Sequence, residues 1–353
     1  MKKTGILFFA LYFLTVLPCF AKTDVIYEVF SSLSQDYINT VTPKEIALQG
    51  LRALHETDEN LKTEENESEL WLYYQDKPVQ KIPFPMKDEP LEAWIDFCKN
   101  TLKAAEGVSK NISLHDFEMP DKFAQKAFEN MDGYSDYFST FTKTDDENKP
   151  LKIRRSFTSR IIDDFLLIRA LDFKKGTAEK IKTAVTECSM CKGLILDLRG
   201  NHGGFFDEAL SVADLFLDEG IITYTLNEKN EPQYFTAKSG DILSSKPIVI
   251  LIDGLSASAA EVLAGALFDQ NRAVLIGTKT YGKGTVQDIK KMDSDRAIAV
   301  TISYFYTPSG LKIDKTGLTP QICTAQNEDC AKEDRFKHEE DIERAIQYLK
   351  TGI

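Results

Sequence analysis

Residues 247–277, PIVILIDGLSASAAEVLAGALFDQNRAVLIG, contain an apolar segment, a junction rich in Gly, Ala and Ser, a run of good helix formers and a second apolar segment. Short apolar runs bounded by turn residues are typical of buried strands, and the central run favours a helix. The stretch therefore predicts a βαβ unit. It also places two serines, Ser256 and Ser258, just before the helix.

The alternation of strands and helices continues on both sides of this unit. Residues 193–200, GLILDLRG, predict a further buried strand, and residues 177–189 and 205–218 predict amphipathic helices. This order predicts an α/β domain of βαβ units around a mostly buried sheet, which we assign to residues 151–353.

The preceding residues have a different pattern. Residues 24–38, 43–61 and 91–108 carry apolar side chains at helical spacing. Between the second and third of these blocks, residues 62–85 combine a charged loop with a candidate hairpin strand. We therefore predict a mainly helical N-terminal domain over residues 22–150.

The overall composition narrows the class of protein. The chain has 353 residues, of which 42% are hydrophobic and 28% are charged, a balance typical of globular domains. The length is enough for two domains with their own cores. The net charge of −12 disfavours nucleic acid and anionic membrane surfaces as partners, because both repel an acidic protein.

The first residues have the features of a secretory signal peptide. Lys2 and Lys3 form a basic end, residues 5–17 are an apolar run, and residues 19–21 put small side chains where a signal peptidase reads them. The run is shorter than the roughly 20 residues that span a bilayer, which disfavours a retained anchor. We expect a signal peptide at residues 1–21 and an exported product, periplasmic or extracellular.

Five cysteines remain after the predicted signal peptide. In an oxidising compartment, Cys323 and Cys330 could close a small loop, and Cys188 and Cys191 form a C-x-x-C. A redox role needs that motif at a helix start after a strand, whereas here it ends a helical stretch. The four histidines are not grouped to complete a metal site. We expect structural disulfides or free thiols, a buried Cys98, no metal and no cofactor.

Ser258 has two interpretations. Residues 258–261, Ser-Ala-Ala-Glu, fit a capping box, in which the serine accepts a backbone N–H and the glutamate reaches back. A serine at a sharp strand-to-helix turn is also an exposed hydroxyl. The amide of Ala259, at the positive end of the helix, can then face a developing oxyanion. Ser256 is either a rival nucleophile or the residue that supports the turn.

A serine nucleophile needs a base. Of the four histidines, only His202 lies in a Gly-rich loop beside a buried strand. Lys283 lies between two glycines, where backbone can approach closely. A lysine acts as a base only when desolvation keeps it neutral, and the alternative is an ordinary loop lysine. If residues 283–287 form a helical turn, Gln287 shares a face with Lys283 and can orient its amine.

Residues 197–204, DLRGNHGG, end a predicted strand in a loop with three glycines. Such a loop presents backbone N–H groups to an anion or to a tetrahedral intermediate. A phosphate site is the competing interpretation, but the loop is neither G-x-G-x-x-G nor a Walker loop. We expect Asp197 and Arg199 to pair and to hold the loop.

Four motifs in this order resemble the carboxyl-terminal processing (tail-specific) serine peptidases. The motifs are ILDLRGNHGG, LSASAAEVLAGAL, GTKTYGKGTVQ and YTPSGLKIDKTGLTP. The resemblance covers residues 155–322 closely, and AFENMDGYSDYF is similar to the family's segment ahead of its regulatory domain. It implies a crotonase-like α/β core with an N-terminal helical bundle.

The resemblance also implies roles for individual residues. Ser258 would be the nucleophile, Lys283 the general base and Gln287 the residue that positions it. Backbone amides of Ala259 and of the Gly203–Gly204 region would form the oxyanion hole. The implied activity is endopeptidase hydrolysis of polypeptide substrates near their C-termini, without a metal or organic cofactor.

The sequence departs from the family pattern in two places. His202 replaces the proline of the Asn-x-Gly-Gly loop. Only residues 139–152 separate the Asp-x-Tyr-Ser element from the core, where family members carry a PDZ domain, and a domain needs roughly 50 residues. PDZ modules hold a substrate's C-terminus by strand addition. This chain would then recognise substrate differently, or through an adaptor or a homo-oligomer.

Two other functions stay open from the sequence. The missing PDZ domain favours an inactive relative that binds peptides or serves as an adaptor, although all three candidate side chains are present. A thioester-processing enzyme on a crotonase-like core is disfavoured, because export would separate it from coenzyme A.

Overall fold

The computed structural model describes residues 24–116, 118–139, 156–238, 240–326 and 329–352. The predicted signal peptide and the predicted domain boundary at residue 150 lie outside the described residues. Within those ranges, no helix combines the length and the apolar character needed to cross a bilayer.

The described N-terminal residues form helices that pack on a small antiparallel sheet of order β1-β2-β3. The start of one helix shows how the sequence fixes these elements: Thr42 accepts a hydrogen bond from Glu45 N–H at 3.2 Å, and Pro43 occupies the first turn. The helices are α1 Val25–Gln35, α2 Pro43–Leu51, α3 Ala53–Thr57, α4 Leu91–Glu106 and α5 Glu118–Phe128. The strands are β1 Leu61–Glu65, β2 Glu69–Tyr74 and β3 Lys77–Pro83, and a fourth, β4 Asp136–Ser139, follows α5.

A charged loop is predicted within residues 62–85, and this prediction is wrong where β1 forms. This segment pairs antiparallel with β2, and of its side chains only Leu61 is buried. β1 lies at the edge of the sheet, where charged side chains are compatible with a strand because they face water.

A six-stranded sheet of order β14-β11-β10-β7-β6-β5 forms the centre of the C-terminal region. Its pairs are parallel except for the antiparallel pair of β5 and β6. The strands are β5 Phe157–Ile162, β6 Phe165–Ala170, β7 Leu194–Asp197, β10 Ile248–Ile252, β11 Ala273–Gly277 and β14 Ile322–Cys323. This arrangement confirms the predicted α/β class.

Helices cover the two faces of this sheet. Ile250 of β10 belongs to the apolar cluster that contains Leu263 of α8, and its neighbour Val249 packs with Ile342 of α9, as expected for alternating strand residues. The helices of this region are α6 Thr177–Glu187, α7 Phe206–Asp214, α8 Ala259–Asp269 and α9 Glu340–Thr351. Because α8 is buried on all sides over residues 259–267, its N-terminus is fixed against the end of β10.

A second sheet joins the two regions of the chain. Its order is β12-β13-β8-β9, and β4 also pairs with β13. These strands are β8 Ile221–Leu226, β9 Pro232–Thr236, β12 Thr285–Lys291 and β13 Arg296–Tyr306. Ile298 and Val300 of β13 belong to the N-terminal core, whereas Phe305 packs with Val262 of α8. The strand therefore brings residues that follow α5 close to β12.

The described residues contain two disulfide bonds, Cys188–Cys191 and Cys323–Cys330. They match the structural interpretation of both cysteine pairs. Cys98 is a buried free thiol, as predicted, and burial raises its pKa well above the ordinary value. A buried thiol with a raised pKa is chemically inert.

Candidate active site

The turn between β10 and α8 holds Ser258 in an unusual backbone conformation. Ser258 is the N-cap residue of α8, with φ 57° and ψ −121°. Residues other than glycine seldom adopt this region, and such strain persists only where the surrounding structure imposes it. The side chain is half-buried at the positive end of the α8 dipole. The turn thus presents a hydroxyl where negative charge is stabilised.

Ser256 supports this turn and is not available as a nucleophile. Its side chain is fully buried, its Oγ donates to Leu198 O at 2.9 Å, and Asp253 N–H donates to the same Oγ at 3.0 Å. Asp253 Oδ1 accepts from Ser256 N–H at 3.0 Å. Because these contacts use its donor and an acceptor position, only Ser258 of the two serines fits the nucleophile.

Glu261 joins the Ser258 turn to the Lys283 loop. Its side chain is fully buried, and its Oε2 accepts from Ser258 N–H and from Lys283 N–H, each at 2.9 Å. The two backbone nitrogens therefore lie within about 6 Å of each other. Oε1 accepts from Gly282 N–H at 2.7 Å and from Thr280 Oγ1 at 2.5 Å. Burial raises the pKa of the Glu261 carboxyl, and these hydrogen bonds act in the opposite direction.

Glycines on both sides of Lys283 let its loop pack tightly against residues 313–317. A Cβ on Gly284 would lie 2.1 Å from Asp314 N. At Gly282, where φ is +86°, a Cβ would lie 3.0 Å from a backbone nitrogen of the same segment. The close backbone approach predicted for this loop is confirmed. It holds in place the backbone from which the half-buried Lys283 side chain extends.

Gln287 does not share a helical turn with Lys283. The segment is extended, and β12 begins at Thr285, so the helical spacing on which that prediction relied is wrong. Gln287 Nε2 instead donates to the backbone oxygen of Tyr134, and Lys283 Nζ lies 5.1 Å from the centroid of the Tyr134 ring. The two side chains meet at one residue of the N-terminal region.

The Gly-rich loop after β7 lies against the Ser258 turn. A Cβ on Gly203, where φ is +99°, would lie 3.0 Å from Ser258 Cβ and 3.2 Å from Ala259 N. Gly203 N–H donates to Asn201 Oδ1 at 2.7 Å, so it is not the free oxyanion donor that the prediction required. Among the described residues, neither Ala259 N–H nor Gly204 N–H donates a hydrogen bond. These two amides keep the predicted donor capacity.

Buried ion pairs hold the Gly-rich loop to the C-terminal segment. Arg199 Nε lies 2.8 Å from Asp197 Oδ1, and Arg199 Nη1 lies 3.0 Å from Asp341 Oδ2. Arg335 Nη2 lies 2.9 Å from Asp341 Oδ1. The predicted pairing of Asp197 and Arg199 is confirmed. Removing one member would leave a buried charge unpaired, so the network restrains the loop strongly.

The segment that carries these loops matches a known family. Residues 164–324 match the model described as Peptidase family S41. This chain contains an S41 peptidase domain. The S41 domain includes the Ser258 turn, the Gly-rich loop and the Lys283 loop, and the resemblance to carboxyl-terminal processing peptidases is confirmed by the relatives of this domain.

Curated proteases match parts of this chain. The carboxy-terminal-processing protease of Bartonella bacilliformis is 39% identical over 194 residues, which are 51% of this chain and 45% of that protein. The carboxyl-terminal-processing protease of Synechocystis sp. is 42% identical over 134 residues, 38% of this chain and 31% of that protein. The chain thus spans less than half the length of either relative. A lipoprotein structure from Streptococcus agalactiae covers 89% of this chain and 99% of its own, with a TM-score of 0.53 and 17% identity, and shows a shared fold.

Two contributors to the site were not identified from the sequence. Glu261 was assigned only to a capping box, although a single carboxylate in the apolar run AAEVLAGAL indicates a buried charge that needs several donors. Tyr134 lies 149 residues before Lys283 in the chain (283 − 134), and no local pattern connects the two. The pairing of β4 with β13 brings Tyr134 to the site.

Glu261→Gln should weaken both the fold and the site. The Glu261 carboxylate accepts all four hydrogen bonds, whereas the amide of glutamine would point its NH₂ group at some of these donors. Each buried N–H left without an acceptor costs about 1–3 kcal/mol of folding stability. We expect a lower thermal midpoint and a loss of hydrolysis of about tenfold or more. Thermal denaturation with an assay at 15 °C separates the two effects. A variant with wild-type stability and activity would show that Glu261 does not couple the loops.

Gly203→Ala should reduce hydrolysis by more than its loss of folding stability explains. The new Cβ would contact Ser258 Cβ at 3.0 Å while also straining the backbone. Gly176→Ala is the matched control, because Gly176 has φ +88° and nothing within 4 Å of a Cβ. Both variants should lose roughly 1 kcal/mol of stability from strain. In steady-state assays, only Gly203→Ala should lose hydrolysis, by about tenfold or more, and equal losses would contradict the contact argument.

Proposed function

We propose that this protein is an exported serine-type endopeptidase that hydrolyses peptide bonds of polypeptide substrates through a Ser258–Lys283 dyad. The observation that carries the proposal is the shared acceptor Glu261 Oε2, which holds the backbones of both residues together. The S41 domain and the protease names of its relatives support the reaction class.

In the acylation step, Ser258 Oγ attacks the carbonyl carbon of the scissile bond while the neutral Lys283 amine accepts the hydroxyl proton. The tetrahedral oxyanion accepts hydrogen bonds from Ala259 N–H and Gly204 N–H. The C–N bond then breaks, and Lys283 returns its proton to the leaving amine. The products are a peptide with a new N-terminus and an ester on Ser258. Gln287 acts from β12, through its hydrogen bond to Tyr134.

In the deacylation step, water takes the place of the departed amine. Lys283 accepts a proton from that water as it attacks the ester carbonyl, and the same two amides stabilise the second oxyanion. The C–O bond breaks, and Ser258 Oγ recovers its proton from Lys283. The carboxylate product then leaves. The cycle needs neither a metal nor an organic cofactor.

Substrate access also belongs to this proposal. The signal-peptide features of residues 1–21 support an exported enzyme, periplasmic or extracellular. Unfolded or tail-exposed polypeptides fit a half-buried nucleophile, because an extended chain can enter where a folded surface cannot. An adaptor or a second copy of the chain would serve substrate recognition in place of a PDZ domain.

The test is digestion of a reduced, carboxymethylated polypeptide by the purified protein, with new N-termini identified by mass spectrometry. The same polypeptide in its native, disulfide-bonded form is the substrate control, and Ser258→Ala is the enzyme control. We expect cleavage of the unfolded form only, and none by Ser258→Ala. If wild-type and Ser258→Ala proteins yield the same termini, the dyad proposal is wrong. If neither cleaves, the chain is an inactive relative.

A further inference from the structure

A short segment of the N-terminal region reaches the Lys283 loop. Asp132 Oδ1 accepts from Tyr134 N–H at 3.0 Å and from Ser135 N–H at 2.7 Å, which forms a tight turn around Tyr134. Ser135 Oγ accepts from Thr301 N–H of β13 at 2.9 Å. The backbone of this turn is therefore fixed to the second sheet and is not a free surface loop.

Tyr134 contacts both side chains assigned to the base. Lys283 Nζ lies 5.1 Å from its ring centroid, and Gln287 Nε2 donates to its backbone oxygen. Tyr281 of the Lys283 loop lies close enough to affect its phenol electrostatically. Burial raises the pKa of Tyr134 to about 12, with smaller contributions from Tyr281 and Asp314. The phenol is thus uncharged throughout the neutral range.

We propose that Tyr134 is a positioning residue for Lys283, so that the N-terminal region completes the active site of the S41 domain. The inference rests on the proposed function. The ring of Tyr134 lies over the Lys283 amine, and its backbone oxygen holds the Gln287 side chain beside it. The fixed turn therefore limits the positions that the amine can take up and directs it toward the Ser258 hydroxyl.

Other titratable groups also face this pair. Tyr281 lies on the Lys283 loop, Glu261 lies on α8, and Asp314 lies on the segment that packs against Gly284. Burial raises the pKa of both carboxyl groups. Variants at Tyr134 keep these groups in the chain, so a change in kcat between variants reports on the ring.

The experiment compares Tyr134→Ala and Tyr134→Phe with wild type, using Phe138→Ala as the matched control. Phe138 is a 49% exposed aromatic side chain on β4, in the same segment. Steady-state kinetics on an unfolded peptide should show kcat lowered about tenfold in Tyr134→Ala with KM nearly unchanged. Tyr134→Phe and Phe138→Ala should keep kcat near the wild-type value.

A second measurement is independent of hydrolysis. The rate at which acetic anhydride labels Lys283, followed by peptide mass spectrometry across pH, gives the midpoint and the limiting rate for that amine. Lys192, 70% exposed at its side chain, is the internal reference. Tyr134→Ala should raise the limiting rate at Lys283, because the ring no longer covers the amine.

The two assays separate the failure of this inference from failure of the proposed function. If the wild-type protein does not hydrolyse peptide, the dyad proposal is rejected. Faster labelling of Lys283 in Tyr134→Ala would even then show that the Tyr134 ring shields the Lys283 amine. Equal labelling in the two proteins, or an unchanged kcat in Tyr134→Ala, would overturn the inference.

Discussion

Ser258→Ala should reduce peptide hydrolysis by roughly 10⁵-fold while leaving the protein folded. The substitution removes the attacking oxygen, and the remaining backbone donors cannot form an acyl-enzyme. The fold should be unaffected, because the contacts that shape the turn come from the Ser258 backbone and from Glu261. The substitution should not relieve backbone strain at position 258, because alanine is as disfavoured as serine at φ 57°. Thermal denaturation and a steady-state peptide assay measure the two effects.

The control for this variant is Ser256→Ala, two residues earlier. Loss of its hydroxyl leaves Asp253 N–H without its partner, which costs about 1–3 kcal/mol of folding stability, whereas Leu198 O still accepts from Asn201 N–H. Below its unfolding temperature, Ser256→Ala should still hydrolyse peptide at a rate near that of wild type. The reverse pattern, with activity lost at Ser256 and retained at Ser258, would show that the nucleophile has been misassigned.

Lys283→Ala should reduce kcat/KM by about 10²- to 10⁴-fold, the usual contribution of a general base. Lys283→Arg should be equally inactive, because a guanidinium keeps its proton and cannot accept another. The loop should keep its shape in both variants, since the Glu261 carboxylate holds the backbone N–H of residue 283 and not its side chain. Kinetics at several pH values, together with thermal denaturation, measure the outcome.

Two variants serve as controls for the base. Lys279→Ala removes a half-buried lysine of the same loop and should leave hydrolysis near the wild-type rate. His202→Ala removes the exposed histidine of the Gly-rich loop, the other candidate base near Ser258. If His202→Ala were inactive and Lys283→Ala retained activity, the histidine would be the base and the Ser-Lys assignment would be wrong.

The sequence predicts the core of the fold because each element there obeys one dominant pattern. Residues 248–252 and 273–277 are short apolar runs, and in the structure they are neighbouring parallel strands of a sheet with helices on both faces. Residues 62–65 show where such patterns fail. Their charges suggest a loop, but an edge strand tolerates charges on its exposed positions.

Local patterns also located Ser258 and the glycines around Lys283, since a sharp turn and a close backbone approach both restrict residue type. They failed where long-range contacts decide. The spacing of Gln287 predicts a helical turn, yet pairing with β13 makes the segment a strand. The Gly-rich pattern predicts a free donor at Gly203, but its N–H donates to the side chain of Asn201. Tyr134 reaches the site only through the packing of the N-terminal region on β13.

The measurement that tests the central claim most directly is covalent labelling with an alkyl fluorophosphonate, followed by peptide mapping and rate determination. The account predicts one adduct, on the hydroxyl at position 258, that forms faster as pH rises and about 100-fold more slowly in Lys283→Ala. An adduct on a different residue, or a labelling rate that does not change when Lys283 is removed, would contradict it.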